Sequence, residues 1–329
     1  MYSPTLYSMT GEMRSILCIF LIGFGVNSSA QERTSPANQS EELGDVSWYR
    51  DYDQALELSK RETKPILILF QEVPGCSTCR NYGHNVLTHP LMVEAIETLF
   101  IPVAIYNNKG GKDKVVLEKF GEPSWNNPVV RIVDANGLDV VPRISGDYAA
   151  SSLAKALLKA LKKAPDFLEL LSAELTGKQS NSVQTAYFKM YCFWSGEKHL
   201  GALNGVLSTT SGFMSGAEVV KVQFDQNKVT QKALVNYAEK QEMTLIKDNG
   251  KFRIAKDDDK FYLQKTNYKY LPLTNLQQTR INSKLGRGES ARNLLSPIQL
   301  DWFLALRDGK GEKIIRFNQD FSVAWSAMK

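Results

Sequence analysis

Cysteine is scarce in this chain. Its 329 residues include four, and one of them, Cys18, lies in an N-terminal apolar stretch. The others, Cys76, Cys79 and Cys192, are too few for a disulfide scaffold. A chain this long also buries enough core not to need one. Their expected role is chemistry, and the odd number leaves one thiol over. A charge excess is missing too: 40 basic and 35 acidic residues leave a net +5, spread without a basic stripe. That excludes nucleic acid as an expected partner. Beyond the N-terminus no segment is apolar enough to span a bilayer. There is no internal repeat and no low-complexity block. With 43% hydrophobic and 23% charged residues, the composition is that of a globular protein of about two domains.

What is present begins with the N-terminus. Met13-Arg14 precedes the apolar run 16–26, which ends in Asn27-Ser28-Ser29-Ala30. A positive start, a short apolar core and small residues at Ser28 and Ala30 form a secretory signal pattern, with cleavage expected after Ala30. Met13 fits that pattern better as a start than Met1, which places Glu12 and a polar stretch ahead of the core. The run is short for a spanning helix; an uncleaved anchor is the alternative. Cys18 lies inside the core, which is not the place of a lipid-attachment cysteine. The expectation is a signal peptide over 1–30 and an exported protein, periplasmic or extracellular, with no transmembrane span after cleavage.

Residues 31–44 are polar and read as a flexible leader. Tyr52, Ala55, Leu56 and Leu58 then recur at helical spacing, and the pattern ends near Pro65. The buried strand Ile66–Phe70 follows, then FQEVPGCSTCRNYG over 70–83, which carries Cys76 and Cys79, and a helix-compatible stretch through Val86. A second helix leads to the strand Phe100–Ile105, and 107–111 is a loop. Asn127-Pro128 precedes the strand Val129–Val133. Asp134–Gly137 makes a hairpin turn, and Leu138–Ile144 is expected to pair back. Leu153–Leu161 is an amphipathic helix. This order gives an α/β unit over 45–164. Residues 165–184 read as a linker, with a second unit after it. There Val206–Thr210 and Glu218–Phe224 read as strands and Lys228–Lys240 as a helix.

A redox thiol acts as thiolate and needs a lowered pKa. A strand that delivers Cys76 to the start of a helix supplies it, because the free N–H groups and the helix dipole favour the anion. One turn later, Cys79 is placed to attack a mixed disulfide formed by Cys76. The rival reading is a metal: Cys76, Cys79, His84 and His89 form C-x2-C-x4-H-x4-H, a candidate zinc set. The expected fold puts His84 on a helix and His89 in a turn beyond it, out of reach. No cofactor and no metal is expected.

The first unit resembles the thioredoxin-like fold over 45–164, in its strand ending at Phe70, its cysteine pair and its Asn127-Pro128. The resemblance implies a cis Pro128 that faces the cysteines and contacts substrate. The tryptophan usual before the first cysteine is replaced by Val73-Pro74-Gly75. The stretch VPGCST is similar to the thioredoxin-like VPGUxT family, named for a selenocysteine where this chain has Cys76. That likeness implies Cys76 as nucleophile.

Cys192-Phe193-Trp194 repeats the placement of a thiol at a helix start. Its surroundings, AYFKMYCFWSGEKHLGALNGVLSTTSGF and AEVVKVQFD, resemble the peptide methionine-S-sulfoxide reductase (MsrA) family, with its GCFWxxE, GVxxTxxGY and GHAEVVxVxYD. The likeness covers roughly 185–275, within a second domain set at 185–280 and followed by a C-terminal extension over 281–329. It implies an α+β domain in which Cys192 attacks the sulfoxide sulfur and Glu218 protonates its oxygen. Phe193 and Trp194 would hold the methyl group, and Tyr268 would donate to the oxygen. Several positions depart from the family. Tyr191 replaces a glycine, and Phe213 replaces a tyrosine. Between Phe213 and Glu218 the chain is cut to four residues, which removes a loop with another catalytic tyrosine and a histidine. No aspartate lies five residues before Tyr268. Glu197 and His199 read as solvated surface.

The expected function is an exported thiol–disulfide oxidoreductase whose cysteine pair supplies electrons to the attached reductase-like domain. Its partners are oxidised protein substrates, carrying a disulfide or methionine sulfoxide, and an external thiol reductant. One alternative is a general disulfide reductase or isomerase with a non-catalytic binding domain. Another is a non-enzymatic metal-binding module.

Overall fold

A computed structural model describes residues 33–328 besides Met1. The expected signal segment therefore lies outside the described residues. Among those that are described, no helix is long and apolar enough to cross a membrane.

The first sheet grows from the strand β1 (Ile66–Gln71), whose six residues are all buried. Alternation sends Leu67 and Leu69 to one face and Ile66, Ile68 and Phe70 to the other. Helix α1 (Tyr52–Glu62), capped by the Asp51 carboxylate, leads into it. After it come α2 (Ser77–Val86), α3 (Pro90–Leu99) and β2 (Ile101–Tyr106). Then come α4 (Lys112–Phe120), β3 (Val129–Val133), β4 (Ile144–Ser145) and α5 (Ala150–Ala160). The strand order is β2-β1-β3-β4, with β1 parallel to β2 and antiparallel to β3. Helix α4 is not among the expected elements. The return strand after the hairpin turn shrinks to the bridge Val133–Asp139 and to β4. Pro142 lies inside the expected strand and brings no N–H to a ladder.

Residues 33–44 of the expected leader, and the expected linker, are packed structure rather than flexible chain. Leu43, at the end of a short 3-10 turn, is fully buried and accepts the Trp48 indole N–H at 2.9 Å. Gln39 ties the turn down through the carbonyl of Val46 at 2.9 Å. An apolar residue in a polar stretch thus finds its core only through tertiary contact. Between the two sheets lies a helix, α6 (Asp166–Gln179), which buries Phe167, Leu168, Leu171 and Leu175 in the same core as α5. A Cβ on Gly177 would lie 2.5 Å from Leu207, so this glycine permits close approach rather than flexibility.

The second sheet comprises β5 (Val183–Lys189), β6 (Val206–Met214), β7 (Ala217–Asp225), β8 (Thr244–Ile246) and β9 (Arg253–Ile254). It is antiparallel throughout, in the order β8-β5-β7-β6-β9. Helices α7 (Phe193–Leu200) and α8 (Gln231–Glu239) add Phe193, Leu200, Leu234 and Ala238 to its core. A short α9 (Phe261–Gln264) precedes α10 (Asn275–Gly286), α11 (Pro297–Arg307) and α12 (Phe321–Ser326). α10 and α11 each begin with a capping box, Thr274 with Gln277 and Ser296 with Gln299. The two box glutamines also bond each other at 2.8 and 3.1 Å. The C-terminal extension joins the first core: Trp325 is buried in it, and Glu94 accepts the Ile298 N–H at 2.7 Å. The chain is an α/β protein built on these two sheets.

Candidate active site: the Cys76–Cys79 dithiol and the Cys192 centre

β1 ends at Gln71, and the Val73-Pro74-Gly75 turn carries the chain to α2. Cys76 becomes the N-cap of that helix and is exposed, while Cys79 is buried in its first turn. The two Sγ atoms are 3.5 Å apart. The Cys79 N–H, directed at Cys76, holds the Cys76 pKa below that of an ordinary thiol against the opposing effect of burial. Burial pushes Cys79 up to about 12, with further help from Cys76. The thiol of Cys79 donates to Asn127 Oδ1 at 2.8 Å, next to Pro128, whose peptide bond is cis as the resemblance implied.

Two carboxylates flank the pair, and the sequence reading named neither. Glu42, buried in the supposed leader, accepts the Gly75 N–H at 2.6 Å. Glu72 places an oxygen with both sulfurs, all three atoms within 4.8 Å of one another. Only Glu72's nearness to the cysteines in sequence gave any signal. A metal here would have two sulfurs and one oxygen, short of a closed tetrahedral set. The histidines of the rival metal reading do not join it: His84 is exposed, and the His89 ring stacks on Phe321 at 5.6 Å. A cleft beside the dithiol is lined by Glu72, Asn108, Lys114 and Trp125, the last 81% exposed.

The second centre forms where β5 ends and α7 begins. Cys192 is the N-cap of α7 and half-buried. On the neighbouring β7, Glu218 Oε2 accepts the Phe193 N–H at 2.8 Å. Cys192, Phe193 and Glu218 are thus brought together at one helix start. Phe193 packs against Phe213 at 5.5 Å, and Trp194 stacks on Phe261 at 3.8 Å. Cys192 does not join the Cys76–Cys79 group.

Tyr268 does not reach this centre. It is buried among the C-terminal helices with its ring 4.5 Å from Phe303. A short 3-10 turn capped by Thr266 holds it there. Tyr262 has its pKa raised, by burial first and then by nearby Cys192 and Glu197. Glu197 is not surface either. It is fully buried, with the Lys260 ammonium at 2.9 Å, Thr209 Oγ1 at 3.2 Å and Asn282 Nδ2 at 3.3 Å. Nor is His199 fully solvated: it is half-buried, and burial lowers its pKa, followed by Lys198 and Arg287.

The region that carries the thiol pair, residues 47–135, matches the family model described as thioredoxin-like. The chain is also similar to peptide methionine sulfoxide reductase MsrA of Salinispora tropica, 33% identical over 84 residues, covering 20% of this chain and 38% of that protein. MsrA of Vesicomyosocius okutanii is 34% identical over 71 residues, covering 16% of this chain and 44% of that one. The chain thus spans less than half the length of these curated relatives. Among solved structures, a DsbH oxidoreductase aligns with a TM-score of 0.32 and 18% identity, over 38% of this chain and 91% of that one.

Proposed function

We propose that the chain is an exported thiol–disulfide oxidoreductase whose dithiol passes electrons to Cys192, the nucleophile of a sulfoxide-reducing centre. The observation that carries the dithiol role is the asymmetry of the pair. Cys76 is exposed with a depressed pKa, and Cys79 lies 3.5 Å away, buried, with its pKa pushed up to about 12. One thiol is suited to attack and the other to wait until a mixed disulfide forms. The likeness of VPGCST to the VPGUxT family supports Cys76 as the attacking residue.

The chemistry balances as follows. Cys192 takes the oxygen of a methionine sulfoxide and becomes a sulfenic acid, releasing the thioether, while Glu218 relays the proton to that oxygen. Cys76 condenses with the sulfenic acid, expelling water and leaving a Cys76–Cys192 disulfide. Cys79 then displaces Cys192, and an external dithiol reduces the Cys76–Cys79 disulfide. Because Cys192 stands apart from the pair, this hand-off takes place between two chains or after the two units rearrange. The MsrA likeness and the Glu218–Phe193 contact support this reading. The stacking of Phe261 on Trp194, on a ring expected to hold the methyl group, favours a second reading: a general disulfide reductase or isomerase whose second domain only binds.

Insulin-disulfide reduction and turnover of a methionine-S-sulfoxide peptide separate the two. Cys76→Ser is expected to abolish insulin reduction, and Cys79→Ser to trap a mixed disulfide. Retention of insulin reduction by Cys76→Ser rejects the dithiol role. Sulfoxide turnover that disappears in Cys192→Ser supports the first reading; none in the wild type selects the second. Export is tested by N-terminal sequencing of the mature protein, expected to begin at Gln31.

A further inference from the structure

A cleft of about 730 Å³ lies where α5 and α6 meet the start of β6 and α10, away from both thiol centres. Leu158, Leu170, Leu207 and Leu276 give it an apolar floor. Lys155 and Lys159, one turn apart on α5, and Lys228 also line it, and all three are exposed at its rim.

Arg280 of α10 also lines the cleft and is unusual in its surroundings. Its guanidinium donates to the carbonyls of Gly201 and, at 3.0 Å, Val206. Those contacts satisfy some of its N–H groups but bring no negative charge. No described carboxylate forms an ion pair with it: every ion pair of the described residues uses other cations. Burial lowers its pKa to about 10, and the like charge of Arg287 lowers it further. A desolvated cation without a counter-charge is costly. The two acids of the lining do not relieve it. Asp225 is engaged by Ser182 Oγ and the Asn227 N–H, and Glu169 is exposed on the first turn of α6.

We infer that this cleft is a binding site for an amphipathic anion, a carboxylate with an aliphatic body. Its head group meets Arg280 inside the lysine rim, and its chain lies on the leucine floor. The charge complementarity selects an anion, and the leucines select against a small hydrated one such as acetate or inorganic phosphate. Because the walls come from both sheets' helices, an occupant contacts both halves of the chain.

The test is calorimetric titration of the full chain with decanoate, decanol and acetate. Decanoate is expected to bind saturably at one site, with decanol and acetate at least tenfold weaker. Lys155→Glu/Lys159→Glu changes only exposed side chains and is expected to weaken decanoate at least tenfold while leaving insulin reduction unchanged. Arg280→Met is expected to abolish binding, and Arg280→Lys to retain part of it. The lysine pair keeps the test decisive if Arg280→Met does not fold. Equal binding of decanoate and decanol, no saturable decanoate binding, or unchanged affinity in the lysine pair each overturn the proposal.

Discussion

The Glu42 carboxylate accepts the backbone N–H of Gly75 at 2.6 Å, so a residue of the expected leader braces the turn that presents Cys76. Burial works against this carboxylate, but Ser40 and the Gly75 N–H outweigh it and hold its pKa below the glutamate value of 4.5. A depressed carboxylate contributes stability that is present above its unfolded pKa and lost as pH falls through the folded one. Glu42→Ala, which removes the acceptor as well as the charge, is therefore expected to cost about 1.5–3 kcal/mol at neutral pH, the value of a charge-assisted hydrogen bond. Its unfolding midpoint should also vary less with pH below 4.5 than that of the wild type. Urea unfolding at several pH values measures both. An unchanged midpoint at pH 7 refutes the bracing role.

That contact also marks what the sequence could and could not reveal. β1 and the dithiol were legible because a fully apolar strand followed by two cysteines at one-turn spacing is a local pattern. Glu42 was not, since its partner is chosen by the fold rather than by its neighbours. Helix α6 was hidden by Gly177, Gln179 and Ser180, although Phe167, Leu168, Leu171 and Leu175 already held helical spacing. Around Cys192, matching strings pointed to Glu218, which the fold sets against the Phe193 N–H, and to Tyr268, which the fold packs against Phe303 instead. A tyrosine in a short 3-10 turn can face either way, and only packing against Phe303 decides. Glu197 escaped notice because its cation, Lys260, is distant in sequence.

The two thiols of the pair should titrate far apart. Cys76 is expected to react with iodoacetamide near neutral pH and Cys79 only toward pH 12. The raised Cys79 pKa has a consequence for stability. Its contribution is fully present below the unfolded value near 9 and is lost as pH rises through about 12. The reduced protein should thus weaken steeply across that window, and Cys79→Ala should weaken less steeply. Mass-resolved alkylation and alkaline unfolding of the reduced chain read the two effects. Equal alkylation of both thiols at pH 7 contradicts the asymmetry.

Behind Cys192, Glu197 and Lys260 form an ion pair whose side chains are almost wholly buried. Burial works against the Lys260 ammonium, but Glu197 and Asp259 outweigh it and keep its pKa above that of free lysine. Removing one partner strands the other charge. Lys260→Met is expected to cost about 3–5 kcal/mol, whereas the double variant Glu197→Leu/Lys260→Met should recover much of the loss. Urea unfolding followed by tryptophan fluorescence, which includes Trp194, measures the cycle. A double variant no more stable than Lys260→Met shows that the pair does not act as a unit.

Glu218 is the sharpest test of the second centre. Glutamine at this position can still accept the Phe193 N–H through its amide oxygen, so the start of α7 should keep its shape. What it cannot do is deliver a carboxylic proton to a sulfoxide oxygen. If Cys192 performs sulfoxide chemistry, Glu218→Gln is expected to lower turnover roughly 10²–10⁴-fold, the usual contribution of a positioned acid. Insulin reduction, which the proposed function assigns to Cys76 and Cys79, should not change. Glu218→Ala removes the helix contact as well as the proton and should lose at least as much. Steady-state turnover of a methionine-S-sulfoxide peptide across the wild type and both variants decides the matter. Undiminished turnover in Glu218→Gln removes this residue from the reaction, and a parallel fall in insulin reduction assigns it to structure instead.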